Sequence, residues 1–268
     1  MPAVVGGALS SLPHSTFAYW TLLLVCKWAA LLILYFLAQR WLSQTGALIA
    51  VLSAIFVTSA PFYGYPPGRH LEIALGMVLT FSALWALSEK RWGLLAVLLL
   101  LAICNREDAL IVSAVAGICW LFRRGGLRLL YVAVGGFLIF VCVRAVGVSV
   151  IGLRPYYCDI LRIGHNLKGF VYLLHTGNLF HPLVTFIITF IPLAIIAVAR
   201  LSVLPDFLKA YVFTFLIFIV AMFATVKLEE PYHWYIVLPL FIIPAIYGLL
   251  PNERKEAETD TANAASAL

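Results

Sequence analysis

The chain is predicted to fold as an all-α, polytopic bundle of transmembrane helices, and three observations carry that expectation. Of its 268 residues, 63% are hydrophobic and 11% charged, and the mean hydropathy is +1.02. The apolar runs repeat along nearly the whole length and are apolar on every face, whereas a soluble domain of this size needs polar faces on most of its helices. The alternating ten-residue strands of a membrane β-barrel are not seen.

Nine membrane segments are predicted, at about 17–38, 45–60, 69–88, 93–104, 109–122, 128–150, 181–199, 208–226 and 235–250. The first is long enough to span, and residues 1–16 before it lack the basic region of a cleavable signal. The third follows the Pro66-Pro67 turn and closes at Lys90-Arg91; the sixth follows the Arg123-Arg124 cluster. Counting cations by side orients the chain. Arg40, Lys90, Arg91, Arg123, Arg124, Arg128, Arg200, Lys209, Arg254 and Lys255 fall on one face, against Arg69, Arg106, Arg154, Arg162, Lys168 and Lys227 on the other. The richer face is cytoplasmic, which places the C-terminus inside and the N-terminus outside. Residues 1–250 then form a single transmembrane domain, and the polar tail 251–268 is expected to be a disordered cytoplasmic extension.

The same count makes 93–122 a broken hairpin, because one continuous helix would put Lys90-Arg91 and Arg123-Arg124 on opposite sides. Its first arm, Gly93 to Cys104, reaches only about 18 Å, short of a bilayer core. The turn Asn105-Arg106-Glu107-Asp108 is therefore expected below the outer surface. An ionisable side chain at bilayer depth costs at least about 2.5–3.5 kcal/mol, so three together point to a wet, protein-lined cavity. Between segments, the stretch 151–180 is the longest polar one and is expected to hold an amphipathic helix near 156–175 on the outer leaflet.

The outward polar residues converge on Arg69, His70 and Glu72, on Arg106, Glu107 and Asp108, on Arg154 and Asp159, and on Lys227, Glu229, Glu230 and His233. A carboxylate in a partly desolvated cavity acts as general base toward a hydroxyl, and Arg or Lys holds a phosphate. On that chemistry Glu107 and Asp108 are the candidate catalytic residues, and Arg106, His70, Glu72, Arg154 and Lys227 the candidate substrate-binding ones. The structural alternative is an Arg106–Asp108 or Arg106–Glu72 ion pair that neutralises a buried turn. A divalent-cation cofactor is weakly indicated, since His70 and Glu72 two residues apart diverge on a helix; no metal ligand set is assigned. His165, His175 and His181 are expected to be interfacial. Lys27, mid-segment, is expected to pair with another helix, a headgroup or a polar cavity. Arg144 lies near the outer end of its segment and is expected to snorkel away from the site. The five cysteines, Cys26, Cys104, Cys119, Cys142 and Cys158, show neither a disulfide framework nor zinc spacing. The net charge of +6 is spent flanking apolar segments, so no nucleic-acid partner is read from it.

The stretch from Phe62 to about Val150 resembles a family of uncharacterised bacterial polytopic membrane proteins related to the GT-C glycosyltransferases. The matching residues are GRHLEIAL at 68–75, EKRW at 89–92, NREDALIV at 105–112 and the basic RRGG at 123–126; EEPYHWYIVLPLFIIP at 229–244 is similar to the late outer loop and Pro-rich helix of GT-C enzymes. The resemblance implies a multi-pass enzyme of the bacterial inner membrane that takes a sugar from a polyprenyl-phosphate donor at the outer face. Membrane lipid and the lipid-linked sugar would be its partners. In that family a carboxylate of the first outer loop serves as base, whereas here no acidic residue precedes Glu72. The expectation is a chain lacking that first helix and loop, a fragment, or one in which Glu107 and Asp108 serve instead. The alternatives are a transporter or lipid-handling protein built on discontinuous helices, or a non-catalytic membrane subunit.

Overall fold

The computed structural model describes residues 17–59, 70–123, 126–151, 163–176, 182–225 and 232–250, and among them the structure is helical with no strand. In chain order the helices are α1 (Phe17–Ala38), α2 (Gln44–Ser59), α3 (His70–Ser88), α4 (Trp92–Asn105), α5 (Leu110–Arg123), α6 (Leu127–Ile151), α7 (Ile163–Thr176), α8 (Pro182–Ala199), α9 (Asp206–Thr225), α10 (Tyr232–Tyr235) and α11 (Leu238–Leu249). A 3-10 turn, Glu107–Ala109, joins α4 to α5. Helices occupy all nine predicted stretches, with ends displaced by at most three residues. Among the described residues, four helical stretches are long and apolar enough to cross a membrane: Phe17–Ala38, Leu71–Ser88, Leu127–Val146 and Asp206–Ala224. The tail 251–268 lies outside the described residues.

Two helices form the centre. α3 packs on α1 and α4, and α11 packs on α2, α8 and α9, with every residue from Leu238 to Ile246 buried. Around α11 the rings of Phe190, Phe215 and Phe241 lock together, with centroids 5.3 Å apart for Phe190–Phe241 and 4.8 Å for Phe215–Phe241. Edge-to-face and tilted aromatic contacts of this kind add to the area they bury. By contrast α6 is exposed along most of its length and belongs to the rim.

The contacts of α6 show how the chain reverses at residues 105–109. A Cβ on Gly117 would touch Ala133 and one on Gly136 would overlap Ser113, so α5 and α6 run antiparallel. Arg128 lies over Trp92, and Gly136 also faces Leu99, so α4 runs parallel to α6. The predicted hairpin is therefore present, but its arms do not lie flat on one another. α6 packs against both, and it approaches this closely because Gly136 offers no side chain where Ser113 sits.

Basic linkers gather at one end of the bundle. There Arg40 meets Glu89 at 3.0 Å, Arg91 stacks over Trp85 and Lys209 meets Asp206 at 3.5 Å. The α3–α4 turn closes through a bond from the Arg91 amide to the Ala86 carbonyl, with Lys90 at φ 58° in the left-handed position that helix ends commonly use. At the opposite end, within the expected 151–180 loop, α7 (Ile163–Thr176) is an amphipathic helix, and the earlier part of the expected helix, near 156–162, lies outside the described residues. Its buried Asn166 amide donates to the Phe223 carbonyl at 2.7 Å and ties α7 to α9. Of the surroundings expected for Lys27, pairing with another helix is not seen: it lies exposed on the outer face of α1, beside Leu24 and Trp28, and makes no ion pair among the described residues. The helix turns its Tyr19, Leu23, Ala30 and Leu34 side inward instead.

Candidate functional site

The chain breaks between α4 and α5 because one residue leaves the helix. The Arg106 amide still bonds the Ala102 carbonyl at 2.8 Å, but its backbone is extended (φ −151°, ψ 137°), and the 3-10 turn then reverses the direction. Glu107 and Asp108 thereby sit in the first turn leading into α5, and Glu72 sits in the first turn of α3. Carboxylates are favoured at such positions, where unpaired amides and the helix dipole present positive charge.

The Arg106 side chain folds back onto its own turn: Nε and Nη2 donate to Asp108 Oδ2 at 3.0 and 2.6 Å. This is the first of the two pairings anticipated for Arg106, and both members are largely buried. Arg144 of α6 reaches in and pairs with Glu107, with its guanidinium carbon 5.5 Å from the centre of the Phe140 ring. Here the expectation for Arg144 fails: the side chain turns into the bundle instead of snorkelling, because a carboxylate and an aromatic face receive it. Asn105, also buried, donates to the Glu72 carbonyl at 3.1 Å, while its Oδ1 has no hydrogen-bond partner among the described residues. Gly76 makes this approach possible, since a Cβ there would stand 3.1 Å from Arg106 Cδ and 3.2 Å from Asn105 Nδ2.

These groups surround a cavity of about 350 Å³, with Glu72, Arg106, Glu107 and Arg144 on its polar side and Ile103, Phe140, Val143 and Val146 among its apolar walls. Asp108 stands behind Arg106 and does not line it. Arg144 precedes the end of α6 by seven residues, so the tip lies about 10 Å short of that end, below the rim as its short first arm requires. Tyr19, fully buried, packs with Leu71 and Ala74 at the start of α3 and lies within electrostatic reach of Glu72. Two carboxylates, Glu72 and Glu107, and two guanidiniums thus share one recess, with Asp108 behind Arg106, and among the described residues the Glu72 carboxylate makes no ion pair.

Of the residues singled out in the sequence, Glu72, Arg106, Glu107 and Asp108 come together. His70 opens α3, but its side chain lies outside the described residues, as do those of His165 and His233; Arg69, Arg154, Asp159, Arg162, Lys227, Glu229, Glu230 and His181 lie outside them entirely. Among the described residues no group of three or more His, Cys, Asp and Glu side chains is placed to hold a metal ion. Arg144, Tyr19, Gly76 and the cavity-lining Cys104 and Cys142 were not anticipated. For Arg144 a signal existed: Val132, Gly136, Phe140 and Arg144 recur every four residues on one face, and a glycine in that row marks a close helix contact.

The fold and site define an all-helical protein of membrane type with a charged recess at the tip of a broken helical pair. No family model, curated protein or solved structure matches the chain.

Proposed function

We propose that the chain is a GT-C-like membrane transferase, or part of one, that moves a sugar from a polyprenyl-phosphate donor to a hydroxyl acceptor at the outer face of the membrane. The observation that carries this reading is the cavity itself, where guanidiniums and carboxylates face one another beside an apolar wall. An isoprenoid chain suits Ile103, Phe140, Val143 and Val146, and a phosphate suits Arg106 and Arg144.

In this reading Glu72 takes the proton of the acceptor hydroxyl. The acceptor oxygen bonds to the anomeric carbon while the bond from that carbon to the phosphate oxygen breaks, and the electron pair leaves on polyprenyl phosphate. Arg144, passed from Glu107 to the leaving phosphate, neutralises it. Glu72 is preferred to Glu107 and Asp108 as base because those two are already committed to arginines, and an ion-paired carboxylate holds protons poorly. Asp108 then positions Arg106. Arg154, Lys227 and His70 keep their supporting place in the proposal.

The test is transfer of radiolabelled polyprenyl-phosphate sugar in membranes carrying wild-type, Glu72→Gln or Glu107→Gln protein at matched levels. Loss of product about 100-fold or more in Glu72→Gln, the scale of a general base, supports the assignment. Equal transfer by all three removes these carboxylates from the chemistry. The transporter reading keeps one specific support, the helix interrupted at Arg106 beside the unsatisfied Asn105 Oδ1. It predicts solute uptake into vesicles with no new glycoside.

A further inference from the structure

A second hollow, of about 510 Å³, opens on the flank of the bundle between α4 and α6, toward the basic end and away from the Arg106–Asp108 recess. Leu95, Leu99, Val132 and Ile139 line it together with Gly135 and Gly136. The two glycines serve different ends. At Gly136 a Cβ would collide with Ser113, so that position is closed from behind by α5. At Gly135 a Cβ would meet nothing within 4 Å, so the missing side chain widens the groove without serving any helix contact.

The mouth of the groove is polar and positive. Trp92 and Arg128 stand there together, the guanidinium carbon 6.0 Å from the ring centroid, with the exposed Tyr131 beside them. Around this end the described residues include the cations Arg40, Lys90, Arg91, Arg128, Arg200 and Lys209, against the carboxylates Glu89 and Asp206. Both carboxylates are held elsewhere, Glu89 by Arg40 and Asp206 by Lys209. Arg128 is thus left facing the groove with no carboxylate partner among the described residues.

We propose that this groove holds one anionic phospholipid, an acyl chain lying along Gly135 and the headgroup phosphate on Arg128. An apolar groove on a membrane-facing flank is filled by hydrocarbon, and a basic mouth between transmembrane helices selects a phosphate headgroup. Trp and Tyr occupy the headgroup level on such surfaces, and the planar guanidinium matches two phosphate oxygens at once. The site is separate from the recess at the hairpin tip and stands whatever that recess does.

The experiment reconstitutes the full chain into nanodiscs of equal parts phosphatidylglycerol and phosphatidylcholine, extracts it into mild detergent and counts retained lipid per protein by mass spectrometry. The wild type is expected to retain phosphatidylglycerol about tenfold over phosphatidylcholine, the factor one charge-assisted contact supplies. Arg128→Gln should erase the preference. Gly135→Leu should displace both lipids while leaving thermal unfolding unchanged, since its side chain enters open space. Equal retention of the two lipids by the wild type overturns the proposal, as does unchanged phosphatidylglycerol retention in both variants. It also fails if Gly135→Leu alters only self-association, because the groove then receives a helix of a second copy.

Discussion

The two ends of the bundle handle charge in opposite ways. At the basic end Arg40 and Glu89 meet with side chains 46% and 24% exposed, while at the recess Arg106 and Asp108 meet with 14% and 6% exposed. The first kind of pair contributes about 0–1 kcal/mol and costs little to form, because water solvates both partners before and after. The second kind must strip water from two ions, and their attraction seldom repays that in full. Exposed cations on linkers need no buried counter-charge, so the basic end carries its ion pairs at little cost. Stability does not explain the recess, where apolar residues of similar volume would serve as well. What the pair does in this fold is place Arg106 along the wall of the cavity that Glu72, Glu107 and Arg144 also line.

The contrast is broken most sharply by removing one charge from each end. Asp108→Asn leaves the Arg106 guanidinium buried without its counter-charge, and the expected cost is about 3–5 kcal/mol, read as a large fall in unfolding temperature in detergent. Glu89→Gln, carried out identically, is expected to change stability by less than about 1 kcal/mol. Equal losses in the two variants would mean that burial is not what distinguishes the ends.

How far this site was legible in advance follows from the same physics. Helix positions were readable because long apolar runs bounded by cations fold as helices, so a helix lies at each of the nine stretches, four of them long and apolar enough to cross a membrane among the described residues. The tip was readable because four polar residues interrupt an apolar run there, and the Arg106–Asp108 ion pair that could neutralise such a turn was one of the two pairings offered. Arg144 escaped because an arginine near a segment end usually extends to water, and only its partner, Glu107 on a different helix, decides otherwise. Tyr19 escaped for a plainer reason: an aromatic residue in an apolar helix is ordinarily core, and its proximity to Glu72 depends on how α1 crosses α3. Gly76 and Gly136 were visible as letters, but the side chains they admit belong to distant parts of the chain.

Packing offers the next largest effect. Gly136→Ala drives a methyl group to 1.9 Å from Ser113 Oγ and 3.1 Å from Leu99 Cδ2, and the expected loss is about 1–3 kcal/mol. Adding Ser113→Ala should recover part of it, since the worst overlap disappears. Gly135→Ala, one residue away but facing open space, should be close to neutral. If the two alanines behave alike, α6 does not lie against α5 as described, and the apolar wall of the recess moves with it. A smaller effect is expected at the floor of the site. Asn105→Ala gives up the bond to the Glu72 carbonyl, worth about 0.5–1.5 kcal/mol, and removes the unsatisfied Oδ1 with it. The loss should therefore fall at the lower end of that range, and a larger one would mean that Oδ1 is bonded by bound water.

The finest discrimination between the ends comes from coupling energy and its response to salt. A double-mutant cycle on Arg40→Gln and Glu89→Gln should give about 0.2–1 kcal/mol at low ionic strength. In 1 M salt, where the screening length shrinks to about 3 Å, that coupling should disappear into error, because ions reach both exposed side chains. The matching cycle on Arg106→Gln and Asp108→Asn should keep most of its coupling in the same salt, since counter-ions cannot enter between groups bonded at 2.6 and 3.0 Å in a largely buried turn. If the recess pair faded with salt as the surface pair does, water and ions would reach it freely. The arginines would then be ordinary solvated cations, and the recess would not differ from the basic end in how it holds charge.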